Sequence, residues 1–226
     1  MYKISPSLIG MLLECPRCLW LHYHEGIERP RGVFPSLPNG MDNAFKSYFD
    51  IYREKDELPP ELVGQITDAK LYNEDMKKFE IWRNINFGRG GFKAEFPEYD
   101  TLLQGAVDEI LINKKGEFVP FDFKTRGYPT KEDTHKHYQH QLDLYALLFE
   151  KNGFKSASIG YLLFFWPREY KEGVASFDSE LKKVDVSFKR GQAILEEVQK
   201  IISGSQPEAH ESCDYCRWAG DLRDLI

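Results

Sequence analysis

Residues 104–124 read Gln104-Gly-Ala-Val-Asp-Glu-Ile-Leu-Ile112, then Asn-Lys-Lys-Gly116, then Glu117-Phe-Val-Pro-Phe-Asp-Phe-Lys124. The two outer pieces are rich in β-branched and aromatic residues, which favour strands. The middle piece ends in glycine, which takes a left-handed conformation without steric cost. The pattern predicts a hairpin of two strands, Gln104–Ile112 and Glu117–Lys124.

The register of this hairpin brings charged residues together. If Asn113 pairs with Glu117 across the loop, Asp108 lies opposite Asp122. Because side chains alternate along a strand, Asp122 and Lys124 share a face with Asp108. The other face is predicted to pack into the core and carries Val107, Leu111, Val119, Phe121 and Phe123.

Burying two carboxylates side by side in an apolar sheet is costly unless a cation or hydrogen bonds offset the repulsion. Mg²⁺ and Mn²⁺ prefer carboxylate oxygens, so a divalent ion is the natural partner. The lysine could then orient or deprotonate the attacking water, or stabilise charge on a phosphate. The alternative is a surface hairpin whose charges are solvated.

A helix is predicted downstream, from a cap at Thr130 or Thr134 to the stop signal at residues 152–153. Gln141 and Tyr145 are four residues apart and therefore share one face of it. On their own they would indicate an aromatic core stripe with a glutamine at its edge.

Three short motifs in this region resemble a known family when they are taken together. Gly105-x-x-Asp108, Asp122-x-Lys124-Thr125 and Gln141-x-x-x-Tyr145 look like motifs II, III and IV of the PD-(D/E)XK nuclease superfamily. The resemblance is strongest to its RecB-type nucleases and CRISPR-associated iron–sulfur exonucleases.

The resemblance implies a role for each motif residue. Asp108 and Asp122 would be ligands of Mg²⁺ or Mn²⁺, with Phe123 offering its main-chain carbonyl. Lys124 would be the catalytic lysine, and Gln141 and Tyr145 would contact the site or the DNA. The implied partners are DNA and proteins of DNA repair, recombination or CRISPR adaptation.

All four cysteines stand in two C-x-x-C pairs, Cys15 with Cys18 and Cys213 with Cys216. Two such pairs can complete a four-thiolate metal site that joins the two ends of the chain. A dithiol redox motif, local disulfides and unrelated buried thiols are the alternatives.

The resemblance also bears on the metal. The iron–sulfur branch carries one cysteine near the N-terminus and three near the C-terminus, and this chain matches at Cys15, Cys213 and Cys216. Leu222 replaces the last cysteine and Cys18 is an addition. A [4Fe–4S] cluster is the first expectation, and structural Zn²⁺ is the alternative. Spare ligands near this site are His22, His24 and His210.

Motif I of the family, a histidine or an acid shortly after a glycine, has no obvious match after Gly40. The candidates on the predicted helix there are Asp42, Asn43, Lys46 and Asp50. Glu95, on the strand predicted before the hairpin, is a further candidate metal ligand. A solvated or salt-bridged strand glutamate is the alternative.

The order of elements predicts an α/β fold, a restriction-endonuclease-like mixed central sheet flanked by helices. We expect one domain over residues 1–226, with 1–30 and 205–226 together forming a cysteine metal-site subdomain. The net charge of −6 argues against affinity that rests on a globally basic surface. Without a membrane-length apolar run or a signal-peptide pattern, the expected location is cytoplasmic, with no membrane partner.

The leading hypothesis is a metal-dependent deoxyribonuclease that acts on single strands or ends. Two alternatives remain at this stage. One is a catalytically inactive nucleic-acid-binding or scaffolding protein of the same fold. The other is an RNA-processing nuclease with the same site chemistry.

Overall fold

The computed structural model describes residues 1–30, 32–85 and 89–223. Within these ranges, helices and strands follow one another in chain order. The helices are α1 (Pro6–Glu14), α2 (Pro16–His24), α3 (Ser36–Glu54), α4 (Met76–Trp82), α5 (Gln139–Lys151), α6 (Phe188–Ser203) and α7 (Asp214–Arg223). The strands are β1 (Tyr2–Ile4), β2 (Ala69–Leu71), β3 (Phe92–Phe96), β4 (Thr101–Gly105), β5 (Glu109–Asn113), β6 (Phe118–Thr125), β7 (Ile159–Lys171) and β8 (Val174–Asp185).

The strands form two sheets of mixed direction. The larger has the order β2-β5-β6-β7-β8, in which only β6 and β7 are parallel. The smaller has the order β1-β4-β3 and also contains one parallel pair, β1 with β4. The prediction of a mixed α/β fold flanked by helices is confirmed. None of the described helices is long and apolar enough to cross a membrane.

The predicted hairpin is present as β5 and β6. Asn113 donates its main-chain N–H to the Glu117 carbonyl (3.1 Å), and Gly116 has a φ of 75°. Glu109 pairs with Phe121, so one more step of this register places Asp108 opposite Asp122, as predicted.

The prediction of one strand over Gln104–Ile112 is wrong, because the chain leaves the smaller sheet at Gly105 and enters the larger at Glu109. Between them, Val107 donates its N–H to the Trp82 carbonyl (3.2 Å), and the Ala106 carbonyl accepts from the Tyr145 hydroxyl (2.7 Å). These distant partners take the hydrogen bonds that a continuous ladder would have used.

Two apolar clusters cover the faces of the larger sheet. Leu111, Phe121 and Phe123 pack with Phe49 of α3 on one face. The other face packs against α5 and α6. Val107 lies in this second cluster and not with Leu111, since the break after Gly105 turns it to the other side.

Candidate active site

Asp108, Asp122 and Lys124 meet where α3 and α5 approach the ends of β5 and β6. The Asp122 side chain is 1% exposed and forms an ion pair with the Lys124 ammonium group. Asp108 Oδ2 accepts a hydrogen bond from the Phe123 main-chain N–H (3.1 Å). The two carboxylates and the amine therefore form one cluster.

Helix α5 adds a chain of hydrogen bonds behind this cluster. Gln141 donates to Asp122 Oδ1 (2.9 Å) and to the Tyr145 hydroxyl (2.8 Å), and its Oε1 accepts from Lys124 Nζ (2.9 Å). The buried Tyr145 passes the chain on to the Ala106 carbonyl. Gln141 thus holds the Asp122 carboxylate and the Lys124 ammonium group in position, and Tyr145 holds Gln141.

Burial and crowding of like charges shift the pKa values of this cluster. Burial, followed by repulsion from Asp108, raises the pKa of Asp122 to about 8. Burial lowers the pKa of Lys124, but attraction from Asp122 and Asp108 exceeds it and leaves that pKa raised. Lys124 is therefore held as an ammonium ion at neutral pH.

The donor set fits a hard divalent cation. Although Asp122 Oδ2 lies against the Lys124 ammonium group, it is buried and receives no well-directed hydrogen bond. A carboxylate oxygen in that position has lone-pair density available for a cation. Asp108 and Asp122 are the residues that would hold the ion.

Helix α3 brings two of the four motif I candidates, Lys46 and Asp42, to the cluster. Lys46 Nζ lies 3.2 Å from Asp108 Oδ1 and 2.7 Å from Asp42 Oδ2. Burial lowers the pKa of Lys46, but Asp108 and Asp42 raise it by more. Asn43 is exposed, and Asp50 instead forms ion pairs with Arg53 and Arg83.

The other predicted ligands are placed differently. Glu95 is exposed on β3, in the smaller sheet, where it pairs with Leu102. The structure therefore does not bring Glu95 to the cluster. Phe123 lies next to Asp122 and contributes its N–H to Asp108, while metal ligation by its carbonyl remains a prediction.

A cleft of about 580 Å³ opens onto Lys124 and Gln141. One wall is α1, including Ser7 and Gly10. The other is formed by the 3₁₀ segment Thr134–Tyr138 and the start of α5. Basic or ionisable side chains line that second wall, namely Lys136, His137 and His140. A phosphate backbone in this cleft would meet the positive charge of Lys136 and Lys124 on this side and the Glu14 carboxylate on the α1 side. Burial lowers the pKa of His140, so its imidazole adds no charge at neutral pH.

The four cysteines converge at the junction of α1, α2 and α7. Their Sγ atoms all lie within 4.8 Å of one another. Cys15 to Cys216 is 3.8 Å, Cys18 to Cys213 is 3.6 Å and Cys18 to Cys216 is 3.7 Å. The predicted four-thiolate site that joins the two chain ends is thus present, and its donors suit a thiophilic metal.

None of the three candidate histidines belongs to this cluster of described ligand atoms. His24 contacts the Ile202 carbonyl (2.6 Å) and stacks on Trp20. The His210 side chain contacts Ser212 (2.8 Å). His22 packs edge-on against Tyr23.

Comparison with known proteins gives one match that covers nearly the whole chain. A family model described as "PD-(D/E)XK nuclease superfamily" matches residues 3–220. No curated protein matches the chain. A solved structure titled "Crystal structure of SSO0001" is similar, with 16% identity and a TM-score of 0.47 over 96% of this chain and 84% of that one. This likeness is too low to carry an argument about function.

Proposed function

This chain belongs to the PD-(D/E)XK nuclease superfamily, and we propose that it is a Mg²⁺- or Mn²⁺-dependent nuclease that hydrolyses phosphodiester bonds of DNA. The observation that carries the proposal is the convergence of Asp108, Asp122 and Lys124 in one cluster, of which Lys124 lines a cleft. A divalent ion there would supply Lewis-acid stabilisation of the phosphate and lower the pKa of the attacking water.

The residues of this chain have distinct roles in the proposal. Asp108 and Asp122 hold the ion. Lys124 orients the attacking water or stabilises charge on the phosphate. Gln141 is a positioning residue, because it holds Asp122 and Lys124 in one geometry. Tyr145 supports Gln141 from the core.

The cleft supports single strands or strand ends as the substrate. The Lys124 side chain is only 16% exposed and lines a recess between α1 and the 3₁₀ segment. Bending an intact duplex to bring a phosphate to this lysine costs energy, whereas a single strand bends readily.

The test is cleavage of end-labelled single-stranded DNA, duplex DNA and RNA with Mg²⁺ or Mn²⁺. We expect Asp108→Asn and Lys124→Met each to lower the cleavage rate by a factor of about 100 or more. This is the usual effect of removing one charged contact to the transition state. Glu95→Gln is the matched control and should cleave like the parent. If the first two variants cut as fast as the parent, the assigned site is wrong. Binding without cleavage by the parent would assign a non-catalytic role, and preference for RNA would assign RNA processing.

For the cysteine site we propose a single tetrahedral ion, Zn²⁺ in the usual case. Four sulfurs placed about 2.3 Å from a central ion stand about 3.8 Å apart. Three of the six separations, 3.6–3.8 Å, match that value, and all four sulfurs lie within 4.8 Å of one another. Thiolates around a [4Fe–4S] cube stand about 6 Å apart, because each binds a different corner iron. The spacing supports zinc over the cluster that the family resemblance implies.

Metal analysis and an absorption spectrum of anaerobically purified protein distinguish the two. One zinc per chain and no band near 400 nm are the expected results. About four irons per chain, with a broad visible band, would assign the iron–sulfur cluster.

A further inference from the structure

Lys46, one of the motif I candidates, lies in the active-site cluster without an assigned role. Its ammonium group bridges Asp108 Oδ1 (3.2 Å) and Asp42 Oδ2 (2.7 Å), and its side chain is 17% exposed. Asp42 and Lys46 are four residues apart on α3, so they share one face of the helix.

The backbone of α3 is held firmly at this point. Phe45 stacks on Phe165 with ring centroids 3.9 Å apart, and Phe49 meets Phe123 edge-on at 4.7 Å. These neighbours of Lys46 belong to the core that covers β6. The bridge to Asp108 is therefore built into the packing of α3 and does not depend on a freely moving surface side chain.

The net charge of the cluster favours binding of one divalent ion over two. Asp42, Asp108 and Asp122 carry three negative charges when ionised, and Lys46 and Lys124 carry two positive ones. One divalent ion turns a net charge of −1 into +1, whereas two ions would crowd a charge of +3 into the same small volume. Two-metal sites place their ions about 3.5–4 Å apart and share a carboxylate between them. Here Asp108, one of the two proposed metal ligands, already binds the Lys46 ammonium group.

We propose that the Lys46 ammonium group, held between Asp42 and Asp108, takes the place of a second metal ion. The site then binds one divalent cation, and Lys46 contributes a fixed positive charge to the scissile phosphate. This inference rests on the proposed nuclease function and specifies how that function handles charge.

The test is the Mn²⁺ stoichiometry of the full-length protein with its cysteine site loaded, measured by calorimetry and by electron paramagnetic resonance. We expect one Mn²⁺ per chain for the parent, none for Asp108→Asn, and two for Lys46→Glu. Lys46→Met should bind its one Mn²⁺ about tenfold more tightly, because a nearby like charge is removed, and should cleave at least tenfold more slowly. If Lys46 only supported the fold, the Lys46→Met variant would lose metal affinity and cleavage rate together.

Lys55→Met is the matched control, since Lys55 lies at the end of the same helix, exposed and near the Tyr52 ring. It should leave stoichiometry, affinity and rate unchanged. Two Mn²⁺ per chain in the parent, both lost in Asp108→Asn, would overturn the proposal for Lys46 and leave the nuclease proposal intact. No Mn²⁺ and no cleavage in the parent would overturn both.

Discussion

Arg53 offers a direct test of the structure beneath the two candidate metal ligands, Asp108 and Asp122. It lies on α3 two turns after Lys46 and forms an ion pair with Glu109, the residue that follows Asp108. The Arg53 side chain is 3% exposed and the Glu109 side chain 0%. Arg53 also donates to the Tyr72 carbonyl and lies 4.4 Å from the centre of the Phe79 ring.

Replacing Arg53 with methionine removes the charge and keeps a long apolar side chain. Glu109 is then buried without its main partner, and burial already raises its pKa. Loss of one partner of a buried pair costs about 3–5 kcal/mol. At about 2–4 °C per kcal/mol for a chain of this size, Tm should fall by about 6–20 °C.

Urea unfolding followed by circular dichroism at neutral pH measures this effect. Lys70→Met is the matched control, because Lys70 and Asp56 also form an ion pair (3.0 Å) but both side chains are more than half exposed. It should cost less than about 1 kcal/mol. The double variant Arg53→Met with Glu109→Leu should recover most of the loss. The reasoning is refuted if Arg53→Met unfolds within 1 kcal/mol of the parent, a threshold of about the largest surface-pair effect.

Three further predictions concern other parts of the chain. Gly191→Ala should destabilise by about 1–3 kcal/mol in thermal melts, since its Cβ would lie 2.5 Å from the Asp143 carbonyl where α6 crosses α5; Gly220→Ala, with open space around it, should not. In metal-free protein, stability should fall as pH rises from about 4 to about 8, because folded Asp122 keeps a proton that the unfolded carboxyl releases at lower pH. Asp122→Asn should flatten that part of the pH profile of unfolding. Cys216→Ser should abolish stoichiometric metal binding at the cysteine site and expose α7 to trypsin, as read by mass spectrometry.

The hairpin could be predicted because its signals are local. The alternation along β5 and β6 and the glycine at position 116 specify register without reference to distant residues. That register was enough to bring Asp108 and Asp122 together. The pairing of C-x-x-C motifs likewise needs only spacing and ligand chemistry to predict a shared site.

Other features depend on contacts that no short window contains. The break after Gly105 depends on Trp82 and Tyr145, which are distant in sequence. Strands β1 and β2 have three residues each, too few to show a period. Which motif I candidates on α3 face the site depends on how that helix is rotated about its axis. The spacing of Phe45 and Phe49 gives this rotation once it is known that both pack against the sheet.

The cysteine site closes almost the whole chain into a ring, since Cys15 and Cys216 are 201 positions apart. Helix α7 contributes no buried residue of its own, so its attachment is mainly through Cys213, just before it, and Cys216. With a metal ion bound at these cysteines, a displacement of α7 would be transmitted to α1 and α2, and α1 is a wall of the cleft.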